Sequence, residues 1–190
     1  MIISISGLPG SGKTTVGKIL AKKLGYDFFS MGDLRGKWAQ KRGMTIDELN
    51  KLGEKEEWTD KETDRYAEKL GKENDNFVID SWLAFHFIPH SFKVFLSVKP
   101  EEAGKRVHKD QRKDEKDVDS PEEAREMLEK RVEQSNKRYK KYYGLDFLEK
   151  KHYDLVLDTT GLTPEETADR ILKAAGKRVK SENKFIQRKG

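Results

Sequence analysis

Residues 7–14 read Gly7-Leu8-Pro9-Gly10-Ser11-Gly12-Lys13-Thr14, and this stretch restricts the possible folds more than any other part of the chain. A short β-rich run, Ile2-Ile3-Ser4-Ile5-Ser6, precedes it. After it, Val16, Ile19, Leu20 and Leu24 recur at the spacing of a helix that buries one face, with Gly25 placed to stop that helix. A strand, a glycine-rich turn and a helix in this order form a cradle for phosphate. The small residues let successive backbone N–H groups converge on an anion, and the helix N-terminus adds its positive end. Lys13 supplies a point charge for the β- and γ-phosphates, and the Thr14 hydroxyl is placed to ligate Mg²⁺. A chance glycine-rich turn needs neither flanking element. Residues Gly7 to Thr15 (Gly7, Leu8, Pro9, Gly10, Ser11, Gly12, Lys13, Thr14 and Thr15) are therefore expected to bind ATP with Mg²⁺.

The next run, Tyr26-Asp27-Phe28-Phe29-Ser30, reads as a second strand, so the chain opens with a β-α-β unit and a parallel sheet follows. Helical stretches are expected near 33–42, 46–52 and 61–71, interrupted by Gly43 and Gly53. Phe77–Asp80 and Phe92–Val98 read as third and fourth strands, with a helix from Pro100 to about Lys109. Residues 110–120 carry no apolar side chain except Val118 and read as a solvated flap. Ser120-Pro121-Glu122-Glu123 and Thr163-Pro164-Glu165-Glu166 are helix starts, each a hydroxyl cap, a proline and two acids. The helices are expected to run to about Tyr142 and Ala175, with a fifth strand at Asp154–Asp158 between them.

Composition removes several alternatives. There is no cysteine, which excludes disulfides, thiolate metal sites and cysteine nucleophiles. Of the four histidines only His86 and His90 have a metal-binding spacing, and Pro89 between them opposes a regular helix. His86, between Phe85 and Phe87, reads as a packed side chain. No apolar run approaches a membrane span, and a soluble, cytoplasmic, monomeric protein is expected. The net charge of +5 lies entirely in residues 177–190, which hold six cations and one anion, so the body is neutral and nucleic acid is not an expected partner except through that tail.

A phosphate cradle identifies the donor nucleotide and leaves the reaction open. The guanine-reading Asn-Lys-x-Asp string is absent, and the chain is short for a mechanical ATPase. A small-molecule kinase must bring two repelling phosphates into line and exclude water, which calls for arginines on a flap and an acceptor-binding segment. Arg106 and Arg112 flank the flap. Arg131 and Arg138 lie seven residues, about two turns, apart and so share one helix face. Each has the alternative of being a solvated surface charge. Lys13, Arg112, Arg131 and Arg138 are the candidate catalytic residues.

The chain resembles the nucleoside monophosphate kinases, in particular the archaeal type of cytidylate kinase, over about residues 1–175. The resemblance rests on Gly7–Thr15, Ser30-Met31-Gly32-Asp33-Leu34-Arg35, Gly43-Met44-Thr45 and the strand ending at Asp80 with Leu83-Ala84. It continues through Arg131-Val132-Glu133-Gln134-Ser135-Asn136-Lys137-Arg138-Tyr139, Tyr142-Tyr143-Gly144-Leu145-Asp146 and Tyr153–Thr159. It implies an α/β, P-loop NTPase fold, adenylate-kinase-like and three-layered, with a five-stranded parallel sheet. One kinase domain would span 1–176, with an acceptor-binding segment at 33–75, a lid at 110–120 and a flexible basic tail at 177–190. The implied reaction is γ-phosphoryl transfer from ATP to CMP or dCMP. Alternatives are AMP as acceptor, or an ATPase that assembles a nucleoprotein with the tail as RNA anchor.

By the same resemblance Ser30, Gly32, Arg35 and Asp80 would bind the acceptor, and Arg131 and Arg138 would contact transferring and acceptor phosphates. The family's acceptor-phosphate arginine stands six residues after the serine, where this chain has Gly36, so Arg35 and Lys37 are rival candidates a 100° rotation to either side. Where the family often has Asp-Gly-Arg, Asp80 is followed by Ser81-Trp82, and Trp82 is either a core residue or a platform for the base.

Overall fold

The structure is a computed structural model that describes residues 1–111 and 117–187, with the side chains of Asp47 and of 178–187 left aside. Five strands form one parallel sheet in the order β2-β3-β1-β4-β5: β1 (Ile3–Gly7), β2 (Asp27–Ser30), β3 (Phe77–Asp80), β4 (Phe92–Ser97) and β5 (Leu155–Asp158). The central β1 is buried along its whole length, as an all-parallel sheet covered on both faces requires. Strand alternation sorts its neighbours. Ile3 and Ile5 pack with Val16, Leu20, Val94, Leu96 and Ile171, beneath helices α1 (Lys13–Leu24) and α8 (Pro164–Gln187). Ile2 faces the other way with Phe77 and Ile79, against Met31, Ala67, Leu70 and Ile88. Those come from α2 (Met31–Lys41), α4 (Trp58–Glu73) and the chain after the short α5 (Ala84–Phe87), so the expected layers of helix, sheet and helix are present.

Helix α3 (Ile46–Gly53) opens with a reciprocal capping box between Thr45 and Glu48. Helix α6 (Pro100–Lys109) leads to the flap, and α7 (Pro121–Tyr143) leaves it. The Ser120 side chain accepts from the Glu123 N–H at 3.1 Å, as the sequence pattern predicts. Gly144, at φ +67°, ends α7.

Three differences from expectation have local causes. Helix α4 starts at Trp58 rather than near 61, because its first turn is held by backbone bonds from Thr59 and Asp60 to the Glu56 and Glu57 carbonyls. Helix α8 passes the expected stop at Ala175 and continues to Gln187, with Gly176 inside it rather than closing it. The short α5, formed by Ala84–Phe87, is too brief to show a helical period in sequence. His86 within it is exposed at the surface and packs edge-on against Phe87 at 4.9 Å. Partial desolvation against its ring neighbours, with the His152 charge second, holds its imidazole below the usual histidine range. Among the described residues no helix is long and apolar enough to cross a membrane.

Candidate active site

The loop after β1 and the carboxyl ends of β2, β3 and β5, at Ser30, Asp80 and Thr159, line one cleft of about 690 Å³, where the connections leaving the adjacent β1 and β4 run toward opposite edges of the sheet. Residues Pro9 to Thr15 form one end of it. The turn is pinned by Leu8 N–H to the Leu96 carbonyl at 2.9 Å and Ser11 N–H to the Leu8 carbonyl at 3.2 Å. Gly7 lies against β4 so closely that a Cβ there would stand 2.2 Å from the Leu96 oxygen. Gly12, at φ +84°, enters α1 with no side chain capping the first turn and no acid in it. The N–H groups at the start of α1 are thus left for an anion.

Lys13 Nζ donates to the Leu8 carbonyl at 2.9 Å, folded over the loop it belongs to. Thr14 Oγ1 donates to Asp80 Oδ2 at 2.6 Å. Register explains that bond, since Asp80 pairs with Ile5 on the adjacent strand and so ends beside the loop. A hydroxyl and a carboxylate are hard oxygen donors of the kind Mg²⁺ takes, and buried Ser11 Oγ, with no hydrogen-bond partner, adds a polar group inside the cradle. The donor set fits a magnesium-bound triphosphate.

The far end is built around Asp60. This buried carboxylate receives Arg35 Nη1 at 3.1 Å and Arg138 Nε at 3.0 Å. Arg35 also donates to Asn50 Oδ1 at 3.2 Å and to the Thr59 carbonyl, and Arg138 Nη2 to Ser135 Oγ at 3.3 Å. After those bonds, Arg35 Nη2 and Arg138 Nη1 remain buried with no hydrogen-bond partner. Two guanidinium nitrogens from different helices, buried and unmatched in one cleft, fit an acceptor phosphate. Of the two candidates, Arg35 is buried and lines the cleft, whereas Lys37 is exposed and does not. Arg131 lines the cleft seven residues before Arg138, as its helix phase predicts.

Ser30 and Gly32 line the cleft as well, Ser30 beside Asp80 on the adjacent strand. Ser30 also caps α2, accepting from the Asp33 N–H at 3.2 Å. Trp82 stacks on Phe147 at 4.9 Å and meets Tyr139 edge-on, so it belongs to an aromatic cluster while also lining the cleft. Arg112 lies outside the described residues, as do positions 113–116 of the expected lid. The ends of that flap are clasped by Gln111, whose side-chain amide bonds both the N–H and the carbonyl of Val118, at 3.0 and 2.9 Å. Arg106 bonds Glu102, the Thr159 and Thr160 carbonyls at 2.8 and 3.2 Å, and the Gly10 carbonyl at 3.4 Å. Its guanidinium ties the phosphate loop to the turn after β5.

Sequence reasoning missed Asp60, Asp64 and Asn50. The available signal was an acid pair, Asp60 and Asp64, four residues apart beside Thr59 and Thr63 on one face of α4. Asp64 is buried and accepts from the Tyr143 hydroxyl at 2.6 Å. Burial pushes its carboxyl up to about 7; the Tyr143 bond opposes this and the neighbouring Asp60 charge adds to it. Tyr143 in turn is pushed upward, first by burial and then by the Asp64 charge.

Stability linkage follows with a definite sign. Between the ordinary aspartate value near 3.8 and about 7, folded Asp64 retains a proton that the unfolded chain releases. Its contribution therefore weakens as pH rises through that window and is flat above it. We expect Asp64→Asn to gain stability over the parent chain, by on the order of a few kcal/mol, as both are titrated from about pH 4 to about 8. Chemical unfolding across that range measures it, and parallel stability curves would refute the assignment.

Residues 2–161 match the cytidylate kinase-like family. The chain is 34% identical to the cytidylate kinase of Archaeoglobus fulgidus over 186 residues, 97% of this chain and 100% of that one. It is 37% identical to the cytidylate kinase of Sulfolobus acidocaldarius, covering 90% and 92%. It is also 37% identical to an S-adenosylmethionine-dependent nucleotide dehydratase of Lacinutrix mariniflava, over 90% of this chain but only 35% of that protein's length. Among solved structures, a shikimate kinase from Bacteroides thetaiotaomicron superposes with a TM-score of 0.62 at 18% identity, over 93% of this chain and 98% of that one, a likeness of fold. The match across most of the chain, on a fold that brings a phosphate loop and an arginine pair into one cleft, establishes that the chain belongs to the cytidylate kinase-like family.

Proposed function

We propose that the protein transfers the γ-phosphoryl group of ATP to CMP or dCMP, yielding ADP and the cytidine diphosphate. The observation that carries this reading is the two-ended cleft, with an uncapped helix start and Lys13 at one end and the unmatched nitrogens of Arg35 and Arg138 at the other. Cytidylate kinases among the relatives support the choice of base.

In this reading the loop Gly7–Thr15 binds the donor triphosphate through backbone N–H groups, and Lys13 neutralises charge at the oxygens between donor and transferred phosphoryl. Thr14 and Asp80 would hold Mg²⁺, which when bound screens the phosphate oxygens from each other. Arg35 and Arg138 hold the acceptor phosphate, with Asp60 fixing both guanidiniums so that little side-chain freedom is lost on binding. Arg131 stands on the same face of α7 and balances charge between the two phosphates. Ser30 and Gly32 shape the wall beside the acceptor. Because charge in a loose transition state spreads over the phosphoryl oxygens, positioning and neutralisation suffice and no strong general base is required.

ADP release by the purified protein with Mg-ATP, alone and with CMP, dCMP, UMP, AMP or shikimate, tests the proposal. Stimulation specific to CMP and dCMP is expected. Preference for AMP would overturn the base assignment, and indifference to every acceptor would overturn the kinase reading in favour of an ATPase.

A further inference from the structure

The phosphate loop is held from three directions. Strand β4 takes its first turn, through the Leu8 N–H and the close approach of Gly7 to Leu96. Helix α6 presses on its middle, where a Cβ on Gly10 would stand 2.8 Å from that of Ala103. The third restraint comes from the turn after β5. Thr159, only 2% exposed, directs its hydroxyl to the Ser11 carbonyl at 3.1 Å and the Ser97 carbonyl at 3.0 Å. Packing does not hold the loop at its last bend. Among the described residues nothing lies within 4 Å of the place a Gly12 Cβ would occupy, so the Ser11–Gly12 peptide is oriented by hydrogen bonding.

A hydroxyl has one proton to give. The Ser97 carbonyl already accepts the Thr159 N–H at 2.9 Å, so the hydroxyl proton is needed at Ser11. Arg106 Nη1 donates to Thr159 Oγ1 at 3.3 Å, which occupies the oxygen and keeps its proton turned toward the carbonyls. The Ser11 carbonyl and the Gly12 N–H belong to one trans peptide and point in opposite directions. Drawing the carbonyl back onto Thr159 therefore turns the Gly12 N–H the other way, and Gly12 lines the cleft.

Resting on the donor-site reading above, we propose that Thr159 is a positioning residue for the donor phosphates: its hydroxyl fixes the Ser11–Gly12 peptide so that the Gly12 N–H is aimed into the cradle before ATP arrives. It touches no reacting atom. Its contribution is that a backbone donor need not reorient when the triphosphate binds, and a donor fixed in advance is worth more than one that must be turned. Arg106 supports the same arrangement from α6, since it also reaches the Gly10 carbonyl at 3.4 Å. The cradle is thus shaped by a side chain 148 residues beyond it.

The test measures Mg-ATP binding by calorimetry with no acceptor present, and steady-state kinetics with CMP, for the parent, Thr159→Val, Thr159→Ser and Ser91→Ala. Valine keeps the shape of threonine and removes the O–H. Ser91 is a buried hydroxyl at the opposite end of β4, bonded to Ser4 Oγ at 2.7 Å and the Ile88 carbonyl at 2.8 Å, so its loss controls for lowered stability alone. Thr159→Val is expected to raise Kd and KM for Mg-ATP about tenfold, the scale of one hydrogen bond to a charged group, with KM for CMP within about twofold of the parent. Thr159→Ser restores the hydroxyl and should bind Mg-ATP within about threefold of the parent. Ser91→Ala should lower Tm and leave both KM values unchanged. Should Thr159→Val not fold, Thr159→Ala removes the same hydroxyl and carries the same expectation. An unchanged Kd for Mg-ATP in the folded variant, or equal rises in KM for Mg-ATP and for CMP, would overturn the role of Thr159 and leave the kinase reading standing. If the parent binds Mg-ATP but phosphorylates no nucleotide, the kinase reading fails and the calorimetric comparison decides on Thr159 by itself. A parent that does not bind Mg-ATP overturns both.

Discussion

Lys13→Ala yields a folded protein whose phosphoryl transfer is reduced by about 10²–10³-fold or more. The size of the effect comes from where the charge is needed. Lys13 sits at the start of α1, where the uncapped N–H groups are placed to attract donor phosphates, and its ammonium adds a full positive charge at that end. Removing it leaves the backbone cradle intact, so donor binding falls less than turnover. Stability changes little, because its bond to the Leu8 carbonyl closes a part-buried surface loop whose other pins, to Leu96 and within the turn, are backbone bonds. A change in Tm of no more than a few degrees is expected, roughly 1 kcal/mol in a chain of this size. The paired measurement is decisive. Near-normal turnover by a folded Lys13→Ala protein would refute the assignment of the loop as the catalytic donor site.

Asp60→Ala should have the largest effect on the fold of any single change in the cleft. The native arrangement places one buried carboxylate between two buried guanidiniums, and the two arginines are 9% and 3% exposed. Taking away the anion leaves both cations desolvated and facing one another. Breaking a buried pair in this way costs about 3–5 kcal/mol, which corresponds to a Tm lower by on the order of 10 °C. Activity should fall as well, with KM for the acceptor rising because Arg35 and Arg138 lose their fixed orientation. Asp60→Asn, which keeps an acceptor but not the charge, should lie between the two. A Tm within about 2 °C of the parent for Asp60→Ala would show that the arginines are solvated, contrary to the burial described here.

What the sequence revealed and concealed follows from how far each feature depends on distant chain. The phosphate loop is local: a strand, a tight turn and a helix start lie within Ile3–Leu24, so residue pattern alone specifies them. The hydroxyl-proline-acid starts of α7 and α8 were legible for the same reason. The end of α8 was not: it was expected near Ala175, before the highly charged stretch, and the helix runs on to Gln187. Asp60 escaped notice because its meaning lies 78 residues away in Arg138, and in a helix so rich in charge its spacing with Asp64, Thr59 and Thr63 on one face is a faint local mark of burial. Arg106 was grouped with phosphate-binding arginines, yet its partners at Thr159 and Thr160 come 53 and 54 residues later and take up most of its donors. Arg35 illustrates the middle case: both cations of α2 were visible in the sequence, and only the face of the helix puts Arg35 in the cleft and Lys37 outside it.

The position of β1 at the centre of the sheet has a consequence for how the chain is made. Its two hydrogen-bonding neighbours are β3 and β4, pairing Ile3 with Val78 and with Phe92. During synthesis, the first strand therefore emerges from the ribosome long before either partner exists, and β2, the next to appear, pairs with β3 rather than with it. Such long-range parallel pairing is slow, and until β4 is complete β1 exposes an apolar, unpaired edge. Any nascent or truncated chain ending before Ser97 should accordingly be prone to aggregate and to need a chaperone. The phosphate loop that follows β1 becomes a rigid cradle only after the chain through β4 has been made.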